Sequence, residues 1–459
     1  LIESRNPTDP SEVVASVPAL DLAGASSLID SAAASQGGWA SDAMLRSGSL
    51  ASLADAIGSR HGEFTEMMVR EVGKPVVEAR GEVDRAIAIL RYYSQIALDP
   101  DGEILQGSTP GARIAVRRVP LGLVMAICPW NFPLAIPAWK SAPALAYGNT
   151  VLLKPAENAV GTASLLFECV GEALPPDILT LLPVSGATAG EMLDDTRIAG
   201  LTFTGSTSVG LSVAERMARR GAPAQAEMGG QNPAVVLGDA DLDRAADAIV
   251  SGAMGFAGQK CTATRRVIVV EEVLTEMEAR LAERISVLRV GDPANESVTV
   301  GPLIGAAAVA EFEQSVEEAM TSGASQLAEA GTPQSDGFFV APRLLRQDDP
   351  TARVNQEETF GPLLTLLAVP DEGRALEVAN ATRFGLVGAV HTDDLAHGVE
   401  LAAQLDCGLQ RVNAPTPGVD FYAPFGGEGE SSFGPREQGR GAREFFTSTR
   451  TMTIVPPAG

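Results

Sequence analysis

Between residues 121 and 219 short apolar runs alternate with stretches of helix length, and this rhythm constrains the fold more than any other feature. Residues 121–127, 150–153, 178–182 and 200–203 read as buried strands, and segments around 139–146, 160–173 and 208–219 read as helices. Strand, helix, strand in series predicts a parallel sheet with helices on both faces. Ligands of such sheets sit outside the carboxyl ends of the strands. The chain before this unit reads differently. Residues 1–20 are polar and extended, with turn signals at Asn6-Pro7 and Asp9-Pro10. Helical spacing covers 21–36, 45–72 and 77–94, with Gly73, Lys74 and Pro75 breaking the last two, and 114–119 reads as a half-exposed strand. After a strand at 233–237 and a helix at 241–256, a second α/β unit is expected. It begins with the loop 258–266 and the apolar run 267–270. It continues through helices at 271–288 and 305–323, a strand at 362–368, a helix at 373–382 and a strand at 385–391. A last strand is expected at 445–455.

A chain of 459 residues is long for one domain and predicts two or three. Its net charge of −24, without a basic stripe, argues against a nucleic-acid partner and leaves any anionic ligand dependent on locally placed cations. Cysteines 128, 169, 261 and 407 are too scattered for a disulfide framework or a zinc site, and His61, His391 and His397 stand apart from any cluster. No apolar run reaches the roughly 18 residues of a membrane helix, and no signal peptide is recognisable. The expectation is a cytoplasmic protein with no membrane partner. Leu1 in place of Met implies that a short N-terminal piece is missing.

Cys261 lies among small and polar residues with Lys260, Arg265 and Arg266 within five positions of it. Nearby positive charge favours thiolate, the reactive form, so this loop is a candidate nucleophile site. The alternative is a buried structural thiol. Four further loops end strands with polar groups. Asn131 stands in an apolar Pro-Trp-Asn-Phe-Pro loop and offers an amide to an oxyanion, or simply forms a turn. Lys154 and Glu157 end the strand at 150–153; they fit two ribose hydroxyls or a surface pair. Residues 203–210 form a strand, a glycine turn and a helix start suited to phosphate. Glu227 precedes two glycines and an apolar run, where burial would raise its pKa toward that of a general base, the alternative being a solvated loop carboxylate.

Taken in order, Pro-Trp-Asn-Phe-Pro at 129–133, Lys-Pro-Ala-Glu at 154–157, Phe-Thr-Gly-Ser at 203–206, Glu-Met-Gly-Gly-Gln-Asn-Pro at 227–233 and Gly-Gln-Lys-Cys-Thr at 258–262 resemble the NAD(P)-dependent aldehyde dehydrogenase superfamily. So do Glu-Glu-Thr-Phe-Gly-Pro at 357–362 and Pro-Phe-Gly-Gly at 424–427. The resemblance implies an α/β aldehyde dehydrogenase fold. Its parts are a Rossmann-like dinucleotide domain (1–105 and 121–228), a catalytic domain (229–425) and a small oligomerisation sheet (106–120 and 440–459). It implies that Cys261 attacks an aldehyde, that Asn131 and the Cys261 backbone N–H hold the oxyanion, and that Glu227 activates the water that releases the acid. Cofactor contacts fall by resemblance on Pro129, Trp130, Lys154, Glu157, Gly205, Ser206, Glu358 and Phe360. The carboxylate at Glu157 repels a 2′-phosphate and favours NAD, with NADP possible. A homodimer or homotetramer is implied.

The segment 411–419, with Ser431, Ser432 and residues 435–439, resembles α-ketoglutaric semialdehyde (2,5-dioxopentanoate) dehydrogenases. Such a substrate carries a carboxylate, for which Lys260 or Arg265 is the expected partner. Phe132, Trp139, Thr262, Val419 and Phe425 match substrate-lining positions, and aromatic walls equally suit an aromatic or aliphatic aldehyde. Glu227 argues against a CoA-acylating relative, and the Cys261, Glu227 and Asn131 set argues against a silent structural member. Gln231 and Gly429 stand where many relatives have lysine, and are expected to reshape the tunnel mouth or a subunit contact.

Overall fold

The computed structural model describes residues 1–457. Two large sheets carry the architecture. The first has six strands in the order Ser432–Phe433, Ala224–Glu227, Ile198–Thr204, Leu123–Ile127, Thr150–Lys154, Leu179–Leu181. All neighbours are parallel except the short Ser432–Phe433, which returns late in the chain to pair antiparallel with Ala224–Glu227. The chain fills one side of Leu123–Ile127 and then crosses to the other. This reversal opens a crevice between the loops that follow Ile127 and Thr204, where doubly wound sheets bind ligands.

The second sheet has seven strands in the order Ser325–Glu329, Arg343–Arg346, Leu363–Val369, Thr264–Val270, Asn232–Val236, Val387–His391, Leu409–Val412, parallel but for the first. Every residue of Asn232–Val236 and Thr264–Val270 is buried, as apolar β-branched runs inside a two-faced parallel sheet must be. The chain passes from the first sheet to the second through only Met228 to Gln231. The carboxyl edge of one sheet therefore faces the amino edge of the other.

A third sheet pairs Arg113–Pro120 with Gly102–Gln106 and Thr447–Ile454, all antiparallel. It leaves Ile104, Leu105, Met452 and Ile454 exposed. The expected strand at 445–455 begins only at Thr447, because Arg443–Phe446 makes a helical turn that buries Phe445 and Phe446.

Two other expectations are corrected, and the extended 1–20 with its turn signals is made specific. The stretch 45–72 is two helices, Ala43–Ser59 and His61–Val72, broken at Arg60 between the weak helix formers Gly58 and Gly62. Residues 1–20 contain a hairpin, Ile2–Arg5 against Val13–Val17. The stretch 385–391 is split, with Phe384–Gly385 pairing to Glu428–Gly429 and Val387–His391 joining the seven-stranded sheet.

His391 ends the strand Val387–His391 buried, its Nε2 without a partner, and burial lowers its pKa to about 4. The unfolded chain takes up this proton near the ordinary 6.5 while the folded chain refuses it, so stability falls as pH drops from 6.5 toward 4. Replacing His391 by Gln should recover about 2–3 kcal/mol of the stability lost between pH 7 and pH 4.5, measured by urea unfolding at both values.

Candidate active site

The nucleophile loop is held by strained backbone. The helix Leu242–Met254 ends, and Phe256 and Ala257 then adopt φ of 51° and 54°, left-handed values that cost non-glycine residues about 1–2 kcal/mol each. Gly258 continues at φ 68°, and a Cβ there would lie 2.2 Å from the Gly361 carbonyl oxygen, so only glycine fits. The turn delivers Cys261, half-buried, three residues before the Thr264–Val270 strand. Asn232, which opens the adjacent strand, fixes it from below: its Nδ2 donates to the carbonyls of Cys261 at 2.7 Å and Ala263 at 2.8 Å. This positioning role of Asn232 was missed in the sequence, although the residue lies inside a quoted motif.

Asn131 comes from the loop after Leu123–Ile127. Its Nδ2 donates one hydrogen bond to Gln259 O at 3.0 Å, leaving one N–H uncommitted, and its Oδ1 is buried without a partner. The loop is anchored from the helix Val76–Ile96 and the turn before it. Lys74 Nζ donates to Asn131 O at 2.6 Å and pairs with Glu82, while Glu82 accepts from Leu134 N and Ala135 N at 2.9 and 3.0 Å. Lys74 also stands 4.0 Å above the Phe132 ring and 4.6 Å from that of Phe256, so one buried cation ties the Asn131 loop to the turn before Cys261.

Glu227 ends Ala224–Glu227 at the facing edge, 2% exposed. Ser432 Oγ donates to its Oε2 at 2.6 Å, and Oε1 is buried without a partner. Burial first, and then the charge of Glu437, hold its pKa well above the usual carboxylate range. Glu437 is also buried, accepting from Trp139 Nε1 at 2.6 Å and Lys140 Nζ at 2.5 Å.

The electrostatics of Cys261 reverse the sequence expectation. Burial, then the charges of Glu358 and Glu227, push the thiol up to about 12, against the pull of Arg265 and a backbone N–H. Lys260 is spent on Glu78 at 2.6 Å. Arg265 is 3% exposed, donates to the carbonyls of Gly361, Gly258 and Lys260, and lies 3.8 Å from Glu358. Arg266 is wholly buried, binding the carbonyls of Gln231, Val378 and Ala379. Neither Lys260 nor Arg265 therefore presents a free cation to a substrate carboxylate; both charges hold the loop.

Trp130 packs edge-on to Phe360 at 5.8 Å and to Phe256 at 6.2 Å, on the loop that begins with Pro129. Trp139 meets the Phe425 ring at 5.4 Å, and Thr262 is buried beside the nucleophile. Glu358 has its pKa pushed up to about 7 by burial, against the pull of Arg265 and the Gly230 N–H. Lys154 and Glu157 do not pair with each other: Lys154 is buried and donates to Pro155 O, while Glu157 accepts from Gly186 N. Gly205 N donates to Glu227 O at 3.1 Å, and exposed Ser206 begins the helix Thr207–Arg219 without capping it. That open helix terminus beside the sheet crevice suits a pyrophosphate. Gln231 is buried and ties down Val354 O and Glu357 O just before Glu358, so it shapes the interior rather than a tunnel mouth. Gly429 has φ 56°, and a Cβ would lie 2.4 Å from Arg383 O, so the tight turn excludes lysine there.

Residues 1–452 match the aldehyde dehydrogenase family. The chain belongs to that family. It is 39% identical over 410 residues to the α-ketoglutaric semialdehyde dehydrogenase of Bacillus subtilis, covering 88% of this chain and 84% of that one. It is 36% identical over 458 residues to the α-ketoglutarate semialdehyde dehydrogenase of Haloferax volcanii, covering 98% and 95%. The solved betaine aldehyde dehydrogenase of Staphylococcus aureus in complex with NAD+ superposes with a TM-score of 0.95 at 26% identity, covering 98% and 91%. The fold is thus the expected aldehyde dehydrogenase fold, and this family member is an NAD(P)-dependent oxidoreductase. Because Glu437 raises the Glu227 pKa, replacing Glu437 by Gln should move the acidic limb of the kcat profile of this aldehyde dehydrogenase to lower pH, readable in steady-state rates from pH 5 to 9.

Proposed function

We propose that this aldehyde dehydrogenase oxidises a short aldehyde bearing a distal carboxylate, of the 2,5-dioxopentanoate type, to the acid by hydrolysis of a cysteine thioester. The observation that carries the hydrolytic part is the buried Glu227 carboxyl, with Oε1 unpartnered, facing the Cys261 loop. The substrate class is supported by the relatives named above, whose names specify α-ketoglutaric semialdehyde.

Cys261 Sγ attacks the carbonyl carbon as its proton passes to the Glu358 carboxylate, the other acidic group that faces it. The thiol is held neutral at rest, so it loses its proton only as the carbon–sulfur bond forms. The carbonyl electrons move to oxygen, where the uncommitted Nδ2 hydrogen of Asn131 and the Cys261 backbone N–H hold the oxyanion. NAD(P), when bound, supplies the hydride acceptor. The open helix start at Ser206 and Gly205 suits its pyrophosphate, Lys154 and Glu157 its adenosine ribose, and Glu358 and Phe360 the nicotinamide side, with Pro129 and Trp130 forming the near wall. Departure of hydride from the carbon regenerates the carbonyl as a thioester on Cys261. Glu227 then takes a proton from water, the hydroxyl adds to the thioester carbon, and the carbon–sulfur bond breaks as that proton passes from Glu227 to the departing sulfur, releasing the acid and the resting thiol. A carboxyl whose pKa lies well above the usual range is matched to this work near neutrality.

We read the exposed apolar residues of the three-stranded sheet as a subunit contact of a homodimer or homotetramer, and the four free cysteines as suited to a reducing cytoplasm. Glu227→Gln should keep a stoichiometric burst of NAD(P)H while steady-state turnover falls about 100- to 10,000-fold, measured by stopped-flow absorbance with 2,5-dioxopentanoate, succinic semialdehyde, benzaldehyde and hexanal. Loss of the burst would remove Glu227 from deacylation alone. A preference for hexanal or benzaldehyde would remove the semialdehyde reading.

A further inference from the structure

With Lys260 and Arg265 committed to the protein, the carboxylate of such a substrate needs another cation. Acidic residues outnumber basic ones by 58 to 34, and most surface arginines are paired. Two near the cleft are not. Arg85 donates through Nη1 to the carbonyl of Val419, and Arg411 through Nη2 to the carbonyl of Gly418. Both side chains are half-buried, the Arg411 Nε is buried without a partner, and neither guanidinium meets a carboxylate among the described residues. The acidic neighbours face elsewhere: Asp84 engages His61, and Asp420 is exposed.

The helix Val76–Ile96 shows where this pair lies. Glu78, Glu82 and Arg85 are spaced by four and three residues and share one face. Glu78 grips Lys260 beside the nucleophile, Glu82 holds the backbone just past Asn131 and Phe132, and Arg85 holds the loop at Val419. The face thus runs from Cys261 outward over about 10 Å. Gly81 lies on it between Glu78 and Arg85, solvent-exposed, and a Cβ there would meet nothing within 4 Å. The loop opposite is pinned at one end by Thr416, 2.8 Å from Thr264, and at the other by Phe425 against Trp139. Carbonyls 418 and 419 lie between these two anchors in the chain and accept from Arg411 and Arg85.

We propose that Arg85, backed by the charge of Arg411, is the anion site that holds the distal carboxylate of the substrate, with the open space at Gly81 leaving room for its chain. This rests on the semialdehyde reading. One bond to a backbone carbonyl leaves Arg85 with donors free for a two-pronged grip on a carboxylate, and partial burial strengthens that bond. Lys260 and Arg265 keep the nucleophile loop in place, and Arg85 selects the substrate.

The test compares kcat/KM for 2,5-dioxopentanoate and for hexanal in the wild-type protein, Arg85→Met and Arg85→Lys, together with inhibition by 2-oxoglutarate. Arg85→Met should lose about 30- to 100-fold on 2,5-dioxopentanoate, mostly in KM, while hexanal changes less than about threefold and 2-oxoglutarate inhibition weakens in parallel. Arg85→Lys should recover part of the loss. Equal losses on both aldehydes would overturn the proposal and leave Arg85 as a brace for the 418–419 loop. If wild type and Arg85→Met prefer the carboxylated aldehyde alike, this inference fails and the semialdehyde reading stands. If wild type already prefers hexanal, both fail.

Discussion

Glu227 ends a strand of one sheet, and Asn232, only four intervening residues away, begins a strand of the other. The active site depends on this short crossing. It presses the carboxyl edge of a six-stranded sheet against the amino edge of a seven-stranded one, so loops that leave the first sheet meet loops that enter the second. Asn131, Gly205 and Glu227 come from the first edge; Cys261, Glu358 and Phe360 come from the second. Asn232 makes the junction rigid by holding the carbonyls on both sides of Thr262.

The same crossing makes the site dry, and dryness sets its chemistry. Two carboxyls and a thiol share a buried space in which burial opposes every negative charge, so Glu227, Glu358 and Cys261 all shift toward their neutral forms. The cations that ought to counter this are diverted to structure. Lys260 binds Glu78, Arg265 and Arg266 satisfy backbone carbonyls, and Lys74 joins the Asn131 loop to the helix Val76–Ile96. A neutral resting thiol is shielded from wasteful alkylation and oxidation, and in the proposed mechanism it becomes nucleophilic when a bound aldehyde lets its proton and electron pair move together.

Much of this was legible in the sequence. The alternation from 121 to 219 gave the parallel sheet, because apolar strand runs bounded by glycine and proline leave few other folds. The loops around Asn131, Glu227 and Cys261 were each recognisable as polar groups at strand ends, since carboxylates and amides in apolar surroundings need a reason. The charge balance at Cys261 was not legible. Sequence proximity put three cations beside the thiol, while their partners, Glu78 and the carbonyls of Gly361 and Val378, lie far along the chain. The left-handed backbone at Phe256 and Ala257 was equally hidden, because neither residue type signals it. Arg85 stood in an ordinary helical pattern and became informative only when Val419 closed over it.

Cys261 rests as a neutral thiol facing the carboxyls of Glu358 and Glu227 rather than as a thiolate made by adjacent cations. The most direct measurement is the pH dependence of Cys261 alkylation by iodoacetamide in the cofactor-free protein, set beside Lys260→Met and Glu227→Gln. The rate should still be rising above pH 9, unchanged by Lys260→Met and shifted to lower pH by Glu227→Gln, since that variant removes a charge that raises the thiol pKa. A rate already on its plateau at pH 7, lost in Lys260→Met, would contradict a neutral resting thiol.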